Sequence, residues 1–149
     1  MNLRELSCIK AIGAFLKDHP RSEVELAGGW GASKTLTAFQ TAWHLGRSLL
    51  IIAPGRIEAD SIYDDMVSFA GESTCIMFPA WEVLPDDTMS PADDIVAERM
   101  NALERIRDLY ESDAPIYVVT PVRSFMQHVI GRRQLQENSF RITCGETMP

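Results

Sequence analysis

The chain has 149 residues, of which 46% are hydrophobic, enough for one domain with a buried core. Its formal net charge of −7 argues against a general nucleic-acid binder, because basic side chains drive binding to phosphates. No apolar run approaches the length that spans a membrane, and the charged N-terminal segment is unlike a signal peptide. Three scattered cysteines support neither a disulfide framework nor a zinc site, so we expect a reducing, cytoplasmic compartment.

Helices and strands alternate along the first part of the chain. Apolar residues that recur at three- and four-residue steps predict a first helix, which ends at His19. A short apolar strand is expected at residues 24–27, followed by a glycine-rich turn and a helix that stops near Gly46. The run Leu49–Ala53 is apolar throughout, which is typical of a strand covered on both faces.

The second part of the chain repeats this alternation. The predicted elements are a helix closed by Gly71, a strand at 75–78, a long helix, a strand at 116–119, a short helix at 122–129 and a candidate strand at 140–143. Ser90 suits the N-cap of the long helix and Pro91 its first position. The buried stripe of that helix is expected at Val96, Met100, Leu103, Ile106 and Tyr110. The alternation predicts an α/β fold with a parallel sheet, helices on both faces and ligands beyond the carboxyl ends of the strands.

Residues 28–35 come close to a phosphate-binding loop, whose pattern is Gly, four residues, Gly, Lys and Ser or Thr. The candidate nucleotide-binding residues are Gly28, Gly31, Ser33, Lys34 and Thr35. In a working loop Lys34 would reach the terminal phosphates and Thr35 would ligate magnesium. Ser33 departs from the pattern, because it stands where a glycine lets the backbone approach phosphate closely. On spacing alone, phosphate contact and an ordinary glycine turn are both open.

Catalysis would need more than this loop. ATP hydrolysis requires an acidic residue on magnesium and a group that orients water, usually at the end of a strand. The acidic pairs at 64–65 and 93–94 fall on predicted helices, and the pair at 86–87 lies in a proline-rich loop. We therefore expect no catalytic residue and no metal ligand in this chain. Trp81, in the same loop, is either a packing residue or a recognition residue.

Two segments give the chain a close resemblance to one family. They are FPAWEVLP at 78–85 and SP at 90–91 followed by DIVAERM at 94–100, and they resemble the N-terminal module of the bacterial transcription-repair coupling factors (Mfd). Other segments agree in their order: residues 28–35, the LIIAP run at 50–54, and VVTPV at 118–122 followed by FMQ at 125–127. That module is similar to the excision-repair helicase UvrB. The resemblance runs from about Leu26 to Val129, and its specific part is the segment around Trp81.

The resemblance implies a RecA-like fold with an incomplete first lobe, as in domain 1a of UvrB. A UvrB-homology domain would cover residues 1–133, and residues 134–149 would begin a following domain. In the coupling factors the loop of this module is degenerate and does not hydrolyse ATP, and the Ser33 departure matches that condition. No cofactor is therefore expected for this chain, whereas ATP and magnesium serve the full-length family, an ATP-dependent DNA translocase.

The resemblance also implies a function and partners. The chain would be a non-catalytic scaffold in transcription-coupled nucleotide excision repair, with UvrA, RNA polymerase and DNA as partners of the full-length protein. The segments around Arg56 and Arg123 resemble motifs that grip the DNA backbone in active helicases. With Trp81 these arginines are the candidate contact residues, or else they are structural remnants. The alternative function is that of a nucleotide-binding fragment of an active UvrB-like ATP-dependent DNA helicase.

Overall fold

The computed structural model describes residues 7–83, 90–139 and 145. Its elements in chain order are α1 (Ser7–Asp18), α2 (Ser33–His44), β1 (Leu49–Ala53), α3 (Arg56–Ala70), β2 (Cys75–Met77), α4 (Asp93–Glu111), β3 (Tyr117–Pro121), α5 (Val122–Phe125) and α6 (Arg132–Asn138). Helices α1 and α3 end just before His19 and Gly71, as the sequence predicts. Within the described ranges, no helix is both long and apolar enough to cross a bilayer.

The three strands form one parallel sheet in the order β1-β3-β2. Tyr117 at the start of β3 lies between Leu49 of β1 and Cys75 of β2. The connection through α3 crosses the sheet from β1 to β2, and the connection through α4 returns from β2 to β3. Because parallel crossovers are right-handed, these two helices lie on opposite faces. The predicted parallel α/β sheet is thus confirmed as a small open sheet flanked by helices, while its RecA-like character stays a prediction.

Each face of the sheet has its own core. On one face Phe39 of α2 and Met66 of α3 pack with Tyr117, and the rings of Phe39 and Tyr117 meet edge to face with centroids 5.4 Å apart. On the other face Ile76 of β2 packs with Ala102 of α4. Strands β2 and β3 are therefore held between two helical layers, and the loops that follow them start from fixed positions.

Two expectations for the strands were wrong. Residues 24–27 do not form a strand, and Val24 and Leu26 are exposed. The outer edge of β1 is unpaired among the described residues, yet residues 24–27 do not add to it, and their apolar side chains gain no burial that would hold a strand there. Strand β1 is also not covered on both faces, since Leu50 and Ile52 are exposed. Helix α4 packs over β2 and does not extend across the neighbouring face of β1.

Helix α4 begins later than the sequence predicts, and its predicted stripe is right in part. It starts at Asp93 with Ala92 as its N-cap, so that Ser90 and Pro91 precede the helix. Its buried residues are Ile95, Arg99 and Ala102. Leu103 and Ile106 of the predicted stripe are partly buried and pack against the same core as Ala102, whereas Tyr110 is exposed. The centre of the inward face was not predicted, because an arginine and not an apolar side chain occupies it.

The helix expected at 122–129 is shorter in the structure. Helix α5 covers only Val122–Phe125, and a separate helix that the sequence analysis did not predict, α6, begins at Arg132. Leu135 of α6 is buried. The candidate strand at 140–143 lies outside the described residues, and the division of the chain at residue 133 stays a prediction.

Candidate functional site

The near-loop at 28–35 is held by hydrogen bonds of its own. Gly28 and Gly31 have φ angles of 79° and 51°, in the left-handed region that favours glycine. The Ser33 hydroxyl donates a hydrogen bond of 2.6 Å to the carbonyl of Trp30, and the Ser33 N–H donates to the same oxygen at 3.1 Å. The side chain that departs from the phosphate-loop pattern therefore closes the turn on itself.

The near-loop leads into α2 but does not follow a strand. Thr35 is buried in the first turn of α2, while the exposed side chain of Lys34 lies beside Gly29. Trp30, at the crest of the loop, is 89% exposed. Only the loop–helix half of the strand–loop–helix context is therefore present in the described part of the chain. The five predicted nucleotide-binding residues share one turn, and whether they contact a nucleotide stays a prediction.

Arg99 of α4 is the centre of a second site, which sequence reasoning did not single out. Arg99 is 1% exposed, and its guanidinium carbon lies 4.3 Å from the ring centroid of Phe78 and 4.4 Å from that of Trp81. The cation is thus close to two aromatic rings, whose electron-rich faces attract it. Its Nη1 donates to the carbonyl of Pro79 and, at 2.9 Å, to the hydroxyl of Ser124.

Ser124 and Gln127 also form hydrogen bonds with the main chain of the loop after β2. The Ser124 hydroxyl donates to the carbonyl of Pro79 at 2.8 Å. The Gln127 side chain accepts a hydrogen bond of 2.7 Å from the N–H of Trp81 and donates one of 3.2 Å to the carbonyl of Trp81. The amide thereby pairs with the main chain of Trp81 much as a neighbouring strand would. The Arg99 cluster is defined as Phe78, Pro79, Trp81, Arg99, Ser124 and Gln127.

The charge of Arg99 is stabilised without a carboxylate from the described residues. Burial lowers the pKa of the Arg99 guanidinium from its ordinary value. An arginine nevertheless stays protonated at neutral pH, because its ordinary pKa is so high. Carbonyl oxygens, a hydroxyl and two ring faces therefore replace the water that this cation loses on folding. Lysine is a poor substitute, since its ammonium group has no plane to stack on a ring.

Arg56 and Arg123 hold the same loop from its outer side. The Nη1 of Arg56 lies 3.1 Å from Oε1 of Glu82, and its Nε lies 4.0 Å from Oδ2 of Asp60. The Nη2 of Arg123 donates to the carbonyls of Glu82 and Val83 at 3.3 and 3.4 Å. These contacts are exposed and individually weak, yet both arginines are engaged within the chain. The structure thus brings the predicted contact residues together around one loop.

A cleft of about 880 Å³ lies between these groups. It starts at the carboxyl ends of the strands and continues along the outer edge of β2, between α3 and α4. Its charged lining residues are Arg56, Arg105, Arg123, Asp60, Asp64, Glu82 and Glu98. Three cations against four carboxylates give no excess of positive charge for a phosphate-rich ligand. Residues of the near-loop do not line this cleft, and the described residues contain no group of three potential metal ligands.

A signal for Arg99 was present in the sequence. Arg99 lies four residues after Ile95 and three before Ala102, and this spacing places all three on one face of a helix. A search for apolar stripes skips the position because the residue is charged. The aromatic residues Phe78 and Trp81 in a proline-flanked run were the other half of the signal, since a buried guanidinium is stabilised by ring faces.

The sequence is similar to known proteins over most of its length. It is 31% identical over 123 residues, 79% of the chain, to the transcription-repair-coupling factor of Mycobacterium tuberculosis. It is 30% identical over 124 residues to the transcription-repair-coupling factor of Escherichia coli and 26% identical over 99 residues to that of Haemophilus influenzae, which correspond to 83% and 66% of the chain. The matched stretches make up only 8–10% of the relatives' own lengths. No family model matches the chain.

Proposed function

We propose that this chain is a non-catalytic, UvrB-like module of RecA type. The proposal starts from its homology to a segment of the transcription-repair-coupling factors, which confirms the family resemblance predicted from the sequence. It acts as a scaffold in transcription-coupled nucleotide excision repair. It takes part in recruiting UvrA and in regulating a motor that lies elsewhere in a longer polypeptide. RNA polymerase and DNA are partners of that longer protein, and ATP and magnesium serve its motor.

The observation that carries the proposal is the Arg99 cluster. Four of its members come from the two segments that carry the close resemblance, the runs at 78–85 and 94–100, and Gln127 belongs to the FMQ run that agrees with them in order. The side chains of these segments contact one another in the interior. Their hydrogen bonds and ring contacts therefore fix the position of the loop after β2, which forms part of the surface. Arg56 and Arg123 serve the same end, because each contacts the segment that follows Trp81. A module built in this way is suited to presenting a fixed surface to partners.

The near-loop supports the non-catalytic part of the proposal. The Ser33 hydroxyl is already bonded within the turn, and residues of the near-loop are not among those that line the cleft at the strand ends. Hydrolysis of ATP requires the phosphate loop, the magnesium ligand and the water-orienting group to act at one place. The described residues do not bring acidic side chains to the near-loop in a group that could hold a metal.

Nucleotide binding by the near-loop tests this proposal. We expect a fluorescent ATP analogue with magnesium to show no saturable binding to the chain in the micromolar range, because Ser33 replaces a glycine of the phosphate cradle. Fluorescence anisotropy makes the measurement, and Lys34→Ala is the matched variant. Saturable binding that Lys34→Ala abolishes would contradict the silent loop.

One observation favours the alternative, a nucleotide-binding fragment of an active UvrB-like ATP-dependent DNA helicase. Gly28 and Gly31 adopt left-handed backbone angles, and the Lys34 side chain is exposed at the start of α2, as a phosphate loop requires. In that function Arg56 and Arg123 contact the DNA backbone. ATP hydrolysis by a longer polypeptide, stimulated by single-stranded DNA and lost in Lys34→Ala, would select this alternative over the scaffold.

A further inference from the structure

We infer that the outer edge of β2, which pairs with no other described strand, is a docking groove for an extended, basic segment of a partner protein. The inference goes beyond the proposed function and does not depend on it. The groove is the part of the cleft that runs along β2, between helices α3 and α4. The β2 groove is defined by Asp60, Tyr63, Asp64, Met77, Glu98 and Arg105.

The floor of the β2 groove is a strand edge with main-chain groups directed outward. The N–H of Phe78 donates to the carbonyl of Val119 at 2.9 Å, so Phe78 faces β3. Because successive residues of a strand direct their main-chain groups to opposite sides, Met77 presents its N–H and C=O to the groove. Cys75 follows the same alternation, and its outward carbonyl accepts a hydrogen bond of 3.0 Å from Arg105. Met77 therefore offers one donor and one acceptor to an added strand.

The charge that remains available in the β2 groove is negative. The carboxylates of Asp64 on α3 and Glu98 on α4 are exposed, and neither forms an ion pair or hydrogen bond with a described residue. Within the described ranges, the Asp60 carboxylate makes only the 4.0 Å contact to Arg56. Arg105, by contrast, donates to three main-chain carbonyls of the turn and strand beside it. The groove thus attracts cationic side chains and repels nucleic acid.

The two walls suit consecutive residues of an extended peptide. A strand added to β2 directs its side chains alternately toward α3 and toward α4. One set then meets Asp60 and Asp64, and the other meets Glu98. The ring of Tyr63 also lines the α3 wall, so arginine gains a stacking surface there that lysine uses less well. Main-chain pairing supplies affinity and the carboxylates supply the preference for basic side chains.

The test uses the 149-residue chain and a short fluorescein-labelled peptide rich in arginine and valine, with binding followed by fluorescence anisotropy. We expect saturable binding, and we expect the double variant Asp64→Asn, Glu98→Gln to bind about tenfold more weakly. The control variant Asp18→Asn, Glu25→Gln removes the same charge from exposed positions that do not line the groove, and it should bind as the original chain does. Circular dichroism checks that each variant is folded.

A second peptide separates strand addition from simple charge attraction. N-methylation of alternate residues removes the donors of one peptide edge, and we expect it to weaken binding about tenfold at unchanged charge. Equal binding of the methylated peptide, or equal weakening in the control variant, would overturn the inference. So would preferential binding of a labelled oligothymidylate. Absence of peptide binding would show instead that the carboxylates only protect an open sheet edge from association.

Discussion

The near-loop and the Arg99 cluster differ in how well a sequence pattern predicts the contacts that the residues make in the structure. The near-loop matches a known pattern at almost every position, yet its described contacts are mostly local, with Ser33 bonded to Trp30 three residues away. The Arg99 cluster matches no catalytic pattern, yet its hydrogen bonds join residues 20 to 46 positions apart in the chain. A motif that is local in sequence can persist as a turn, whereas a long-range cluster has to be built by the whole fold.

This difference identifies which region holds the described structure together. Removing the side chain of Arg99 frees partners in the loop after β2 and in the segment after β3 at the same time. Removing one from the near-loop frees groups that water can reach. Mutations of the two regions should therefore separate sharply in the free energy of unfolding, and the size of the separation tests the comparison.

The largest effect is expected for Arg99→Ala. The change leaves a cavity between Phe78 and Trp81 and removes one of the two donors to the Pro79 carbonyl, so we expect a loss of about 3 kcal/mol in the free energy of unfolding. Urea denaturation followed by circular dichroism measures it. Arg133→Ala is the matched control, because that side chain is 91% exposed in a helical ion pair, and it should cost less than about 0.5 kcal/mol. Similar losses for the two variants would contradict the central position of Arg99.

Trp81→Ala and Trp30→Ala compare the two regions directly with the same residue type. Trp81 is partly buried and stacks on Arg99, so we expect its loss to cost about 2 kcal/mol. Trp30 is 89% exposed, and its loss should change the free energy of unfolding by less than about 0.5 kcal/mol. The same urea titrations give both values. If Trp81→Ala is as mild as Trp30→Ala, Trp81 is a recognition residue and not a packing residue.

A smaller effect is expected for Gln127→Ala. The variant loses two hydrogen bonds to the main chain of Trp81 and leaves that peptide group unpaired, at a cost of about 1–2 kcal/mol. Hydrogen exchange of the Trp81 amide should become faster, because its acceptor is gone. Gln136→Ala, at an exposed position of α6, provides the control and should leave this exchange rate unchanged. An unchanged rate in Gln127→Ala would show that this pairing does not protect the loop.

The alternation of elements was predictable because it depends on periodic apolar runs. The strands around Leu50, Ile76 and Val118 lie where such runs predict them, and so do the helices between them. The strand at 24–27 was not predictable in the same way, since its formation depends on a neighbour that the run itself does not specify. The start of α4 moved for a related reason: Ser90 and Pro91 are suitable for a helix start, but local preference does not oblige the helix to begin there.

The candidate site was predictable only in part. The positions of Trp81, Arg56 and Arg123 were marked by their sequence context, and the structure brings them around one loop. Arg99 was not, because a buried cation is a rare exception to the rule that charged residues lie outside. Its burial depends on two rings from one segment and a hydroxyl from another, and the sequence does not reveal that these segments meet at Arg99.

The unequal surroundings of the tryptophans give the molecule its own optical probes. Trp30 is almost fully in water, whereas the indole of Trp81 lies 4.4 Å from the guanidinium carbon of Arg99. A soluble quencher such as iodide should therefore reduce the emission of Trp30 far more than that of Trp81. In a Trp43→Phe variant, which removes the third and half-exposed tryptophan, emission that resists quenching reports on whether the loop after β2 is closed over Arg99, without any added label.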